Sequence, residues 1–279
     1  MKMGDIELLC VPDGTFRLDG GTMFGIVPKS LWAKIDPADK RNRILIALNP
    51  LLIRTESQNI LVDAGLGQAP RSGFDDLYDL DCGKLCDSLK VAGTDPASIN
   101  VVIFTHLHFD HCGGAVVLSD NGSYRTAFPN ARYVVQKGEW EDARSTTETT
   151  RGSYLQDQLD AIEDSGQLEF VEGDCQLFPH IKLAVTGGHT RCHQIVLVED
   201  GGHTCIFWGD LIPMTSHVNM PYIMSYDLYP VDTLEQKRLW LEKTLAGDWI
   251  NYFEHDPRIS FGRLVRAGKR INTEPLDGS

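Results

Sequence analysis

The chain has 279 residues, 42% of them hydrophobic and 23% charged, ordinary proportions for a globular protein with a sizeable core. They exclude the disordered, collagenous and coiled-coil classes, and at ~150 residues per domain the length allows one or two domains. Lys and Arg number 26 against 39 Asp and Glu, a net charge of −13 with His neutral. Such a chain repels a phosphate backbone, so no nucleic-acid partner is expected. A small neutral or anionic substrate held at a local cationic centre stays compatible.

No stretch approaches the ~18 apolar residues that span a membrane, so no membrane partner is expected. The opening residues lack the charged-then-apolar pattern of a secretory leader. Seven cysteines, an odd number without any C-x-x-C pair, read as reduced thiols, which predicts a cytoplasmic location. Cys82 and Cys86, one helical turn apart, read as small residues beside a core.

In chain order, Ile6–Val11 reads as an opening strand. A loop-rich N-terminal segment follows, punctuated by Gly14, Gly20, Gly21 and Gly25 and carrying Met23, Phe24 and Trp32. Ile44–Thr55 and Asn59–Asp63 read as a hairpin. Asp76–Ala92 has helical spacing and ends at Gly93. Asn100–Thr105 reads as a short buried strand, and Arg132–Gln136 as another. Glu139–Arg144 and Tyr154–Asp164 read as helices. Further strands are expected at Leu168–Val171, Ile181–Thr186, Ile195–Glu199 and Thr204–Trp208. A helix at Leu234–Leu245 and strands at Trp249–Phe253 and Phe261–Arg266 complete the chain. No composition break marks a linker. The expectation is an α/β protein, residues 1–279 forming one domain with two sheets inside and helices outside.

The segment that carries chemistry is Thr105-His-Leu-His-Phe-Asp-His-Cys-Gly-Gly114. His106, His108, Asp110 and His111 put four candidate ligands into six residues, directly after a strand. At a strand end, residues i and i+2 point the same way, so His106 and His108 can converge on one ion. Asp110 and His111 follow the turn of the chain and can face a second. Imidazole and carboxylate together suit Zn²⁺ or another first-row metal. His189, Asp210 and His255 each follow a predicted strand. Gly113 and Gly114 read as the residues that let the chain turn tightly beneath the ligands. Asp256 reads either as an orienting partner for His255 or as a loop cap.

This ligand order resembles the metallo-β-lactamase superfamily over roughly residues 44–256. The resemblance implies a four-layer αββα metallo-β-lactamase sandwich with a dinuclear centre. One metal would take His106, His108 and His189, the other Asp110, His111 and His255, with Asp210 bridging. Zn is the preferred metal, with Fe, Mn or Co as alternatives. Asp63, in Leu-Val-Asp-Ala-Gly, would fix the ligand block through hydrogen bonds. His193 echoes the H-T-x-x-H of the family as a supporting histidine.

Within the superfamily, Asp210 argues against the true β-lactamases, and His108 stands where the di-iron oxygen-reducing members carry Glu. The segments at 23–32 and 209–230 look most like the quorum-quenching N-acyl-homoserine lactonases and the related organophosphate hydrolases. The resemblance therefore implies a lactonase in which hydroxide held by the metals attacks the lactone carbonyl. A phosphotriesterase or aryl esterase on the same scaffold is the alternative. Asp110, or else Asp210, would carry the proton. Some lactonases of the group have a Tyr three residues after the bridging Asp, where this chain has Pro213. His217, Tyr222 and Tyr226 are candidate donors in its place, against a packing role for each. Phe24, with Met23 and Trp32, is a candidate for an apolar substrate wall. The resemblance also implies a homodimer acting on a small molecule.

Overall fold

The computed structural model describes residues 1–68, 73–119, 122–268 and 270–277. They form two compact units: residues 1–14 with 48–173, and residues 15–47 with 174–279. Strands and helices occur in both, so the protein is of the α/β class.

The first unit is built on a seven-stranded sheet. Its strands run Lys2–Met3, Ile6–Cys10, Leu51–Arg54, Asn59–Val62, Val101–Ile103, Arg132–Gln136, Leu168–Val171 across the sheet. The first four pair antiparallel, and from Asn59–Val62 onward neighbours are parallel. The parallel strands are short apolar runs, and Val101, Val102 and Ile103 have no exposed surface, as expected for a strand buried on both faces. Leu85, Leu89, Leu159 and Ile162 from the flanking helices pack with Leu61, Val102, Tyr133 and Val135 of the sheet. The carboxyl ends of the parallel strands are where open α/β sheets place their sites.

The second unit has its own seven-stranded sheet. The order is Cys175–Phe178, Ile181–Val185, Gln194–Asp200, His203–Phe207, Ile250–Tyr252, Phe261–Ala267, Arg270–Pro275. All pairings are antiparallel except that of His203–Phe207 with Ile250–Tyr252. Ile181–Val185, His203–Phe207 and Ile250–Tyr252 therefore run the same way and end at one edge. The helix Pro230–Gly247 packs Trp240 and Leu241 against Ile195, Leu197 and Ile206. No described helix is long and apolar enough to cross a membrane, and none of the seven cysteines is in a disulfide.

Several expected elements differ in extent. The helix expected over Asp76–Ala92 is two short ones, Phe74–Tyr78 and Leu85–Val91. Asp79, with φ of 52°, ends the first in a left-handed conformation, which helical spacing alone does not reveal. Leu77, within the expected helix, is exposed. The run Ile44–Thr55 divides at Asn49-Pro50 into Arg43–Leu48, paired with Gly14–Asp19, and Leu51–Arg54. Proline cannot donate to a ladder, so the strand stops there. The segment expected to be loop-rich contains that strand Gly14–Asp19 and the helical turns Gly20–Phe24 and Lys29–Trp32. The final strand continues into a second one, Arg270–Pro275, whose polar alternation hid it.

Candidate metal-binding site

In the first unit the ligand block begins where Val101–Ile103 ends. Asp63, at the end of the neighbouring parallel strand, donates its N–H to the carbonyl of Ile103 at 2.9 Å. It has φ of 55°, a left-handed conformation that Asp tolerates better than most residues. This turns its carboxylate onto the block. Oδ1 accepts the N–H of Thr105 at 2.7 Å, and Oδ2 accepts the Thr105 hydroxyl at 2.7 Å. Oδ2 also lies 3.0 Å from Nδ1 of His111. With its proton on Asp63, Thr105 Oγ1 is left to accept from His106 Nδ1, 3.1 Å away. Asp63 thus sets two imidazoles, one directly and one through Thr105.

The rings converge. His106 Nε2 lies 3.0 Å from His108 Nδ1, and the His106 and His111 ring centroids are 4.0 Å apart. Asp110 Oδ2 is 3.9 Å from His111 Nε2. The buried carboxylate of Glu139 accepts the N–H of Leu107 at 3.1 Å and the Tyr154 hydroxyl at 3.0 Å, and Tyr154 packs against the His108 ring. Burial, reinforced by Glu139, pushes the Tyr154 hydroxyl well above the usual phenol range. Tyr154 therefore stays a neutral donor. Gly113 and Gly114, expected to let the chain turn tightly, lie close against neighbouring backbone: a Cβ at Gly114 would overlap the carbonyl oxygen of Ala64.

In the second unit His189, Asp210 and His255 follow three strands that end at the same edge. Asp210 lies at their meeting point. Its Oδ2 is 3.1 Å from His189 Nε2 and its Oδ1 is 3.2 Å from His255 Nε2. The opposite nitrogen of each ring has an oxygen partner, Asp227 Oδ1 at 3.0 Å for His189 and the carbonyl of Ala47 at 2.8 Å for His255. Those oxygens hold the ring protons on Nδ1. Each neutral Nε2 then presents a lone pair to a carboxylate oxygen, and two acceptors at hydrogen-bond distance need a positive centre between them. Imidazoles with Nδ1 on an oxygen and Nε2 bare are the usual form of metal-bound histidine. The donors in both units therefore fit divalent cations.

His193 supports this arrangement without being one of the donors. Its Nδ1 bonds Thr186 Oγ1 at 2.7 Å, and its Nε2 accepts the Asp210 N–H at 3.0 Å. Asp256 is a loop cap: Oδ2 accepts the Thr215 N–H at 2.9 Å, and Oδ1 accepts the N–H groups of Arg258 and Ile259.

The candidate substrate residues are differently placed. His217 is buried and its Nε2–H donates to the carbonyl of Met23 at 2.8 Å. Burial lowers its pKa to about 4, so at neutral pH its one N–H is already engaged. That corrects the expectation of His217 as a donor to substrate. Its ring stacks on Phe24 at 4.7 Å, and Phe24 stacks on Trp32 at 5.3 Å. Phe24 has no exposed surface, so its role is packing within that stack. Tyr222 meets Phe24 edge-on. Tyr226 is 37% exposed and precedes Asp227 in the chain.

Asp227, Thr105 and Thr186 were not singled out in the sequence. Asp227 lies 38 residues from its histidine, and no spacing rule links them. Thr105 adjoins the motif and was the one within reach.

The comparisons with known proteins agree with this chemistry. An N-acyl homoserine lactonase of Bacillus sp is 31% identical over 160 residues, 53% of this chain and 56% of that relative. The match thus spans about half the length of that relative. A solved structure described as a probable metal-dependent hydrolase from Staphylococcus aureus is 30% identical, covers 94% of both chains and superposes with a TM-score of 0.88. AidC, a dizinc quorum-quenching lactonase solved with a product, shares the fold at a TM-score of 0.80, with 21% identity, covering 99% of this chain and 96% of that one. The profile of the metallo-beta-lactamase superfamily matches residues 47–255. This chain belongs to the metallo-β-lactamase superfamily.

Proposed function

We propose that the protein is a metal-dependent hydrolase whose two units act as one catalytic domain, and that it opens N-acyl-homoserine or similar lactones. The observation that carries the reading is the Asp210 carboxylate, with one oxygen at each of two imidazoles whose Nδ1 protons are engaged elsewhere. In this reading His106, His108 and His189 hold one cation, Asp110, His111 and His255 the other, and Asp210 both. Zinc is the first choice, with iron, manganese or cobalt as alternatives. Two such cations supply Lewis acidity and a water that is deprotonated near neutral pH.

The side chains of the protein do the rest. Asp63 and Asp227 keep the rings oriented, so the donors need no rearrangement when they bind. Asp110, 8% exposed, takes up a proton at its carboxylate and returns it to the ring oxygen of the opened lactone. Tyr226 is the exposed candidate to bond the substrate. The lactonase reading is supported by likeness to the Bacillus relative. The same reading includes a cytoplasmic homodimer, with seven cysteines outside disulfides suited to a reducing compartment.

The test is metal analysis of the purified protein together with a substrate panel. The expected result is about two metals per chain and turnover of acyl-homoserine lactones far above that of phosphotriesters and aryl esters. The opposite preference assigns the phosphotriesterase reading, and full activity after complete chelation refutes both.

A further inference from the structure

The helix Pro230–Gly247 carries a lysine with no exposed surface. Lys237 Nζ lies 2.7 Å from the carbonyl oxygen of Asn219, 2.8 Å from that of Tyr222 and 3.4 Å from that of Met220. A buried ammonium with three carbonyl acceptors is rare, because it gives up full hydration. Burial lowers its pKa to about 7, with Asp227 acting in the opposite sense. Its three donors gather one short stretch of backbone, the start of the loop that runs to Tyr229.

That loop ends on the candidate metal donors. Asp227 Oδ2 accepts the N–H of Met224 at 3.1 Å, and Asp227 Oδ1 meets His189 Nδ1. The N–H of Leu228 donates to the carbonyl of His189 at 3.1 Å, and that of Tyr229 to Gly188 at 2.8 Å. One end of the loop is thus tied to Lys237 and the other to His189. Between them, Ser225 N–H donates to Thr22 at 2.8 Å.

We infer that Lys237 is a positioning residue: its ammonium holds the loop 219–229 in the conformation that aims Asp227 at His189. The inference rests on the proposed metal-binding role of His189, but not on the identity of the substrate. Through this loop, a helix distant in sequence sets the orientation of a metal-binding imidazole. An apolar side chain of similar length fills the space but removes the cation from all three carbonyls, leaving that of Asn219 with the Tyr222 N–H at 3.0 Å, so the loop loosens while the helix remains.

The test compares Lys237→Met with Lys243→Met, which alters an exposed lysine of the same helix. In the zinc-loaded Lys237→Met protein, amides of 222–229 should exchange at least tenfold faster, with the helix and sheets unchanged. Zinc affinity, read by chelator competition, should fall about tenfold, and kcat should fall more than KM rises. Lys243→Met should match the parent. Unchanged loop exchange and zinc affinity overturn the inference, as does faster exchange spread evenly over the chain. Should Lys237→Met fail to fold, exchange in the unaltered protein decides. Slow exchange at 224–229, comparable with the helix, supports the clamp, and fast exchange overturns it. Loss of lactone turnover in the unaltered protein would instead count against the proposed function.

Discussion

Nδ1 of His189 lies 3.0 Å from Oδ1 of Asp227, and both side chains are buried. Because Asp227 only accepts, the proton of the neutral ring sits on Nδ1 and Nε2 is left for a cation. Removal of such a partner typically lowers metal affinity or activity about 10- to 100-fold. Asp227→Ala should therefore bind zinc about 10- to 100-fold more weakly, as read by chelator competition, and lose turnover with little change in KM.

Asp210 places one carboxylate oxygen against each of two imidazoles. Asp210→Asn keeps the size of the side chain and removes its negative charge. The variant should retain fewer than two metals per chain by elemental analysis. Its kcat/KM should fall by about 10²-fold or more, in line with the loss of one preorganised electrostatic group.

Exhaustive chelation of the unaltered protein should abolish hydrolysis, and two equivalents of zinc should restore it. Circular dichroism should change little, because the cores of both units are formed by side chains outside the donor set. Melting temperature should rise on adding zinc back, since a ligand that binds only the folded state stabilises it.

Gly114→Ala should destabilise the first unit, because the added methyl would overlap the carbonyl of Ala64. Backbone has to move to relieve that overlap, and overpacking of this kind costs about 1–3 kcal/mol. Each kcal/mol lowers melting by about 2–4 °C in a protein of this size. Thermal unfolding measures it directly.

Burial lowers the pKa of His217 to about 4, against 6.5 for an exposed imidazole. Between those values the unfolded chain binds a proton that the folded chain refuses. Stability from this group is therefore whole above pH 6.5 and declines as pH falls toward 4. The limit is about 3 kcal/mol at 1.36 kcal/mol per pH unit. Denaturant titrations from pH 7 to 4 should show a shallower decline in His217→Gln than in the parent.

The ligand block was legible because its residues are contiguous. Four donors follow one buried strand, and the periodicity of a strand end tells which of them converge. Asp63 was legible through the family resemblance carried by Leu-Val-Asp-Ala-Gly. The limits of the fold were less so. Asp79 breaks a run with good helical spacing by taking a left-handed conformation, and Arg270–Pro275 is a strand made by its pairing with Phe261–Ala267.

By itself the sequence determined the chemistry of the donors, because imidazole and carboxylate types and their order are written in the chain. Tertiary structure decided which nitrogen each ring offers. His189 depends on Asp227, His255 on the carbonyl of Ala47, and His106 on Thr105. It also turned His217 from a candidate donor into a packed ring. A tautomer depends on which oxygen lies about 3 Å away, and for His189 and His255 that oxygen arrives by folding from 38 and 208 residues along the chain.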